Sequence, residues 1–440
     1  MSIESSVLRR IKPNEDEISR IQRSAERLRA LASDYALRNG IEAEIKLVGS
    51  VAKGTFLSDP DLDLFMMFPE GVPRSEVNRI GLLAGEDLLH GQRLFSEHPY
   101  TRGVFEGMDV DLVPCYRLRT TERLQTAVDR TPFHTDFVRS RMDDDMRDEV
   151  RLLKKFMKGI EAYGAEPNTR GFSGYACELL VIHYGGFRKV LEAAAGWKEG
   201  MTIAIDGKGP AMIGPIVMYD PVDPKRNVTS AVHIDTFATL ITAAKAYLRE
   251  PDERFFFPNE REPMEQGGLS RLAEIHGSRL ITVIFDRPDI IEDNLCSQLW
   301  KTRYALAKKL NEYSFNVLRA VHRMNPEELV IVFELERDVL SKTYKHHGPP
   351  VWVRTSEAFL EKWRDNEFGE PFIEDGNWNV IAERFYSTAA EMISDEISMS
   401  GIGREIDPRT MSIRNHGETL CLTDRRLLTE LLDPRHSWVI

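Results

Sequence analysis

Asp111 limits most strongly what this chain can fold into. It lies in Val110-Asp111-Leu112-Val113-Pro114, whose other side chains read as a buried strand. A carboxylate among buried apolar neighbours is costly unless a cation or a set of donors meets it. Upstream, Asp61 and Asp63 stand two apart in Asp61-Leu62-Asp63-Leu64. On a strand, both carboxylates share one face while Leu62 and Leu64 turn to a core. Taken alone, such a pair also fits a solvated strand edge; the third carboxylate argues for convergence. Asp109 shares the face of Asp111 and competes for its role, but its place next to the Gly107 turn assigns it to the hairpin edge.

The segments around these aspartates predict an α/β region. Apolar residues at three- and four-residue spacing give a helix over 14–39, with Asn14 and Glu17 as a capping start and Gly40 as a stop. A strand over 41–48 leads into Gly49-Ser50, and a Ser58-Asp59-Pro60 turn precedes a strand over 61–68. A helix over 74–89 and a hairpin, 101–106 with 108–113, complete the pattern. From about residue 147 the periodicity becomes helical. Residues 251–268, rich in Pro and charge, read as a linker. Beyond it, 280–335 reads as a β-α-β-β unit, and the last hundred residues, with Trp352, Trp363 and Trp378, as a further α/β piece. The β-α-β-β unit resembles half of an RNA-recognition motif, without the aromatic motif that would stack bases.

Gly49-Ser50 ends a strand and should open a helix through Val51-Ala52-Lys53. Free N–H groups at that point, with a serine hydroxyl, suit phosphate oxygens, although most Gly-Ser pairs are plain turns. Next to such a cradle, converging Asp61, Asp63 and Asp111 would form a two-metal site for phosphoryl or nucleotidyl transfer. All-oxygen ligation favours Mg2+.

Charge first points elsewhere. The net charge of −12 counts against a polyanion partner. It is unevenly spread, however: residues 147–190 carry a net +3 and residues 301–323 a net +5. Local positive potential is what phosphate binding needs. Four cysteines without a CxxC pair argue against a zinc ribbon or disulfide framework. No apolar run is long enough for a membrane helix, and the first residues lack a signal pattern, so a cytoplasmic protein is expected.

Gly49-Ser50, Asp61-x-Asp63 and Asp111 together resemble the polymerase-β-type nucleotidyltransferase superfamily. Further segments narrow the likeness: Glu97-His98-Pro99-Tyr100, Val128-Asp129-Arg130-Thr131-Pro132-Phe133-His134, Arg170-Gly171-Phe172-Ser173-Gly174-Tyr175, and Asp220-Pro221-Val222-Asp223-Pro224-Lys225-Arg226. With these the chain resembles the archaeal, class I CCA-adding tRNA nucleotidyltransferases. The resemblance implies a multidomain α/β (α+β) protein: a nucleotidyltransferase head over 1–142, a helical central domain over 143–255, a body over 256–340 and a tail over 341–440. It implies that Asp61, Asp63 and Asp111 hold the metals, Asp111 nearest the tRNA 3′ hydroxyl. Ser50 and Lys53 would meet the triphosphate, many relatives carrying arginine at the latter position. His134, Lys154 and Tyr163 match nucleotide-contacting positions, and Arg226 matches an arginine that separates C and A from U and G. Many relatives have Glu in place of Asp61.

The implied partners are CTP, ATP and tRNA, gripped at its acceptor stem, T arm and 3′ end, and a homodimer. Another nucleotidyltransferase of the superfamily, such as a poly(A) polymerase or a small-molecule nucleotidyltransferase, or a non-catalytic tRNA-binding protein on the same fold, are the alternatives. Without the resemblance, Lys154 beside Arg151, Lys155 and Lys158 reads as a solvated basic helix face, His134 as a satisfied loop histidine and Arg226 as a surface charge.

Overall fold

The computed structural model describes residues 2–95 and 98–439; Glu97, in the motif quoted above, lies outside them. The chain forms two compact units, residues 1–260 with 436–440 and residues 261–435. Their boundary falls within the expected linker, but that linker is shorter than its composition suggests. Phe255 and Phe256 are buried in the first unit's core and anchor the start of the segment.

In chain order, the first unit contains α1 (Ile3–Ile11), α2 (Glu15–Arg38), β1 (Glu44–Val48), α3 (Gly49–Lys53), β2 (Leu62–Pro69), α4 (Arg74–Leu89), β3 (Gln92–Phe95), β4 (Pro99–Phe105), β5 (Met108–Arg117) and α5 (Thr131–Arg141). Then follow α6 (Asp144–Gly159), α7 (Gly174–Tyr184), α8 (Phe187–Ala194), β6 (Met201–Ile203), β7 (Ile216–Met218) and α9 (Ile234–Arg249).

The start of α2 closes the capping box its sequence predicts: Asn14 Oδ1 accepts from the Glu17 amide while the Glu17 carboxylate accepts from the Asn14 amide. Its stripe of Ile21, Ala25, Leu28 and Ala32 packs with Leu62, Leu64, Met66 and Phe68, alternate residues of β2. The intervening Phe65 and Met67 join Val113 and Cys115 on the other face. This period-two alternation places Asp63 on the face opposite α2. The sheet order is β1-β2-β5-β4-β3, with β2 and β5 parallel and the other neighbours antiparallel.

The region expected to be mainly helical also holds a short parallel pair, β6 with β7. Strands of three residues are too short to leave an alternation that competes with the surrounding helical pattern. The aromatic cluster of Phe156, Phe187, Tyr247, Phe255 and Phe256 welds α6, α8 and α9 together.

The second unit contains α10 (Gln266–His276), β8 (Arg279–Asp286), α11 (Glu292–Glu312), β9 (Val317–Met324), β10 (Glu328–Leu335), β11 (Thr343–Pro350), α12 (Ser356–Lys362), β12 (Phe372–Glu374), β13 (Asn377–Glu383), α13 (Ala389–Glu396), β14 (Ser412–Arg414), α14 (His416–Leu422) and α15 (Arg425–Leu432). The predicted β-α-β-β unit is present, but its sheet, β14-β8-β10-β9, gains an edge strand from far along the chain. Both faces of this sheet are covered. Ile281, Val283, Ile331 and Phe333 pack with α11 and α13, while Leu280, Ile284, Val330 and Val332 pack with α10, α14 and α15. The likeness to half an RNA-recognition motif therefore offers no open sheet face for bases.

The basic stretches also look different in three dimensions. In 301–323, Arg319 donates to the Leu431 carbonyl, Arg323 pairs with Asp424 and Glu430, and Lys309 pairs with Glu396. Lys309 and Arg323 are thus offset by carboxylates within the unit, and Arg319 is tied to a backbone carbonyl.

Candidate active site

The parallel ladder between β2 and β5 pairs Asp63 with Asp111 in register. Asp61 sits two residues ahead of Asp63 and is half exposed, its carboxylate 3.8 Å from Arg102. Arg102, opposite Asp111 on β4, forks it: Nε donates to Oδ1 and Nη2 to Oδ2, each at 2.7 Å. This fork is the charge-assisted bidentate pairing that guanidinium geometry favours. Asp63 is more deeply enclosed. Burial first, and the nearby Asp111 charge second, push its carboxyl up to about 7. Asp109 is exposed, paired with Val104 at the hairpin edge as expected.

Gly49, at φ +70°, follows β1 directly, and a Cβ built there would lie 1.8 Å from Asp63 Oδ2. Glycine is required twice at this position, by the backbone conformation and by the carboxylate packed over its Cα. Asp63 is thereby held beside the Gly49-Ser50 turn, where α3 begins.

The loop after α3 is tied down from α6. Arg147 Nε donates to the Lys53 carbonyl, Arg151 donates to the Gly54 and Phe56 carbonyls, and Lys154 donates to the Thr55 carbonyl. Residues 147, 151 and 154 share one helix face by their spacing. Arg151 and Lys154 are buried, which corrects the reading of this stretch as a solvated basic face. Lys155 instead covers the Phe257 ring, and Lys158 is exposed.

Lys53 and Lys154 meet at Glu178. Lys53 Nζ donates to Glu178 Oε2 at 2.5 Å, and Lys154 Nζ to Oε1 at 3.3 Å. Thr55 Oγ1 donates to Oε1 at 2.6 Å and accepts from Lys154 at 3.0 Å. Burial alone would raise the Glu178 carboxyl, but the two ammonium groups outweigh it and hold it well below the usual carboxylate range. Burial pulls Lys154 down against the same carboxylate. A single carboxylate between two ammoniums stays ionised first.

Asp220 gathers a second group. His134 Nε2 lies 2.8 Å from Asp220 Oδ2, and since the carboxylate only accepts, Nε2 carries the proton. Arg226 Nη1 donates to the same oxygen at 3.0 Å, while the Tyr175 hydroxyl and the Val222 amide donate to Oδ1. The His134 ring stacks on Tyr175 with centroids 4.0 Å apart. Burial lowers the imidazole below its ordinary value against the pull of Asp220. Burial would raise Asp220, but its donors hold it below the usual carboxylate range. The loop that delivers His134 is stapled by fully buried Asp129, which accepts from the Tyr116, Gln125 and Thr126 amides.

Tyr163 pairs as an isolated bridge with Phe172 and stands near α7; a Cβ on Gly174 would meet its hydroxyl at 2.9 Å and Lys154 Cε at 3.5 Å. The structure thus brings Asp61, Asp63 and Asp111 to the start of the inner β2–β5 ladder beside Gly49-Ser50, with Lys53, Lys154 and Tyr163 in one cluster and His134 and Arg226 in a second. Tyr175 and Glu178, three apart on α7, join the two clusters.

The donor chemistry of the three carboxylates fits a hard divalent cation, and the Asp63 carboxylate is braced over Gly49. Among the described residues, no three carboxylate or imidazole side chains close on one point as a finished metal centre. Arg102 supplies the countercharge at Asp111 instead.

Three regions match family descriptions: a nucleotidyltransferase domain over 28–134, a tRNA nucleotidyltransferase second domain over 148–257 and a CCA-adding enzyme C-terminal domain over 276–416. The CCA-adding enzyme of Methanosarcina barkeri is 38% identical over 411 residues, covering 91% of this chain and 90% of that protein. That of Haloarcula marismortui is 35% identical over 449 residues, covering 98% and 96%. The chain belongs to the CCA-adding enzymes. Membership in this family of tRNA nucleotidyltransferases decides against the poly(A) polymerase and small-molecule alternatives, and it confirms the mixed α/β class with a nucleotidyltransferase head.

In this CCA-adding enzyme five residues of the candidate site had no role assigned from sequence: Thr55, Arg102, Tyr175, Glu178 and Asp220. Glu178 carried a signal, being the one charge within the run Tyr175-Ala176-Cys177-Glu178-Leu179-Leu180-Val181-Ile182. Asp220 lay inside a quoted motif, but its partners on α5 and α7 are visible only in the fold. Among the described residues no helix is long and apolar enough to cross a membrane.

Proposed function

We propose that this chain completes and repairs the 3′ end of tRNA without a nucleic-acid template, adding C, C and A in turn from CTP and ATP and releasing pyrophosphate. The observation that carries this is the in-register pair Asp63 and Asp111 next to Gly49-Ser50. Asp61, Asp63 and Asp111 would hold Mg2+, which when bound activates the tRNA 3′ hydroxyl and neutralises the leaving pyrophosphate.

The chain's own groups do the rest. The Gly49-Ser50 turn receives the triphosphate, with Ser50 and Lys53 as its polar contacts and Lys154 adding positive charge as pyrophosphate departs. Tyr163 and His134 flank the nucleoside, His134 as a neutral donor fixed by Asp220. Arg226, partly exposed and held at one Nη by Asp220, keeps other guanidinium N–H groups for the base edge and so favours C and A. Asp111 is the carboxylate nearest the attacking 3′ hydroxyl.

The four segments, head, helical centre, body and tail, divide this labour, the last two gripping the acceptor stem and T arm. Cytoplasmic location and a homodimer complete the proposal. Asp63→Ala tests it: CTP incorporation should fall below detection while tRNA affinity stays within about twofold, and wild-type turnover in that variant would contradict it.

A further inference from the structure

The Lys53–Glu178–Lys154 group is larger than an ion pair and carries an imbalance. Glu178, Lys154 and Lys53 are all buried, leaving one ammonium charge without a carboxylate. Two buried cations of like sign disfavour each other's charged form. The group therefore needs both the carboxylate between the lysines and an anion in front of them.

From this geometry we propose that Glu178 is a positioning residue for substrate binding: it keeps Lys53 and Lys154 charged together and aims their joint surplus at the triphosphate of the incoming nucleotide. This rests on the reading of the Gly49-Ser50 turn as the triphosphate site. Three features support it. Glu178 reaches both lysines through different oxygens, Oε2 to Lys53 and Oε1 to Lys154, so its position sets theirs. Thr55 locks the carboxylate from the loop that follows α3, coupling the lysines to the Gly49-Ser50 turn. Lys53 also lies 5.6 Å above the Tyr175 ring, one turn of α7 before Glu178, a further contact that restricts it. The charged and titratable groups around this cluster include Asp63, His134, Tyr163, Tyr175 and Cys177, with the Asp220 and Glu166 carboxylates behind them.

Glu178→Gln keeps the shape and removes the charge. With folding checked by circular dichroism, equilibrium CTP binding should weaken at least tenfold at neutral pH. The alkaline limb of kcat/KM for CTP should move down by at least one pH unit, because one lysine then sheds its proton earlier. Glu178→Asp, which restores the charge, should return that limb toward wild type. A folded Glu178→Gln with unchanged CTP affinity and an unchanged alkaline limb overturns the proposal. If Glu178→Gln does not fold, Thr55→Val carries the test: it should weaken CTP binding in the same direction, and unchanged binding overturns the proposal. Wild-type protein assayed alongside separates the two levels. Its failure to add CTP to a tRNA lacking CCA would sink the functional reading itself, whereas normal wild-type activity with wild-type-like variants sinks only the role of Glu178.

Discussion

Asp63 and Asp111 stand side by side on two parallel strands, yet only Asp111 has a guanidinium across it. Asp63 is instead enclosed against Gly49, with no hydrogen-bonded cation among the described residues. The asymmetry means that the more deeply buried carboxylate depends on its packing to stay in place.

Gly49→Ala tests that dependence. The added methyl would need the space of Asp63 Oδ2, and a left-handed φ costs a non-glycine residue about 1–2 kcal/mol. The expected outcome is a drop in kcat of at least tenfold with a modest fall in melting temperature. Steady-state kinetics and a thermal melt check it; full activity would mean Asp63 does not act from this position.

Arg226 and His134 share Asp220, so substitutions among them should not be independent. Arg226→Ala and Asp220→Asn should each raise UTP and GTP incorporation relative to CTP and ATP. The double variant should be little worse than either single one, giving a coupling of about 0.5–3 kcal/mol. Additive effects in the double-mutant cycle would remove Asp220 from the nucleotide-selecting group.

Stability in acid should depend on Glu178. Its carboxyl is held below the unfolded value, so its contribution is complete above that value, about 4.3, and drains away as pH falls toward the folded one. Melting temperatures measured from pH 6 downward should fall more steeply for wild type than for Glu178→Gln. At neutral pH, Glu178→Leu should lose about 3–5 kcal/mol, since two buried ammonium groups would be left without their carboxylate. Parallel acid profiles for wild type and Glu178→Gln would contradict the assignment.

The candidate metal-holding aspartates were legible because strand alternation is local: with Leu62 and Leu64 in the core, Asp61 and Asp63 have only one face to occupy. Their alignment with Asp111 was legible as a requirement, and the parallel register supplies it. What the sequence hid was pairing across long separations. Lys154 looked like surface charge because nothing local pairs it with Glu178 on the next helix. The basic stretch at 301–323 looked available because its carboxylate and carbonyl partners lie about a hundred residues further on. β14 was hidden for the same reason, and so was the packing of α14 and α15 over one face of the second unit's sheet. Charge counts read from sequence therefore overstated the free positive surface, while hydrophobic periodicity located the long helices well.

The most direct measurement is a gel assay of purified protein with tRNA ending before CCA, given Mg2+ and labelled nucleotides. CTP alone should extend the tRNA by two nucleotides and stop, and subsequent ATP should add one more, with no growth beyond CCA. An unextended tRNA, a lengthening A or U tail, or equal use of UTP and GTP would contradict the central claim.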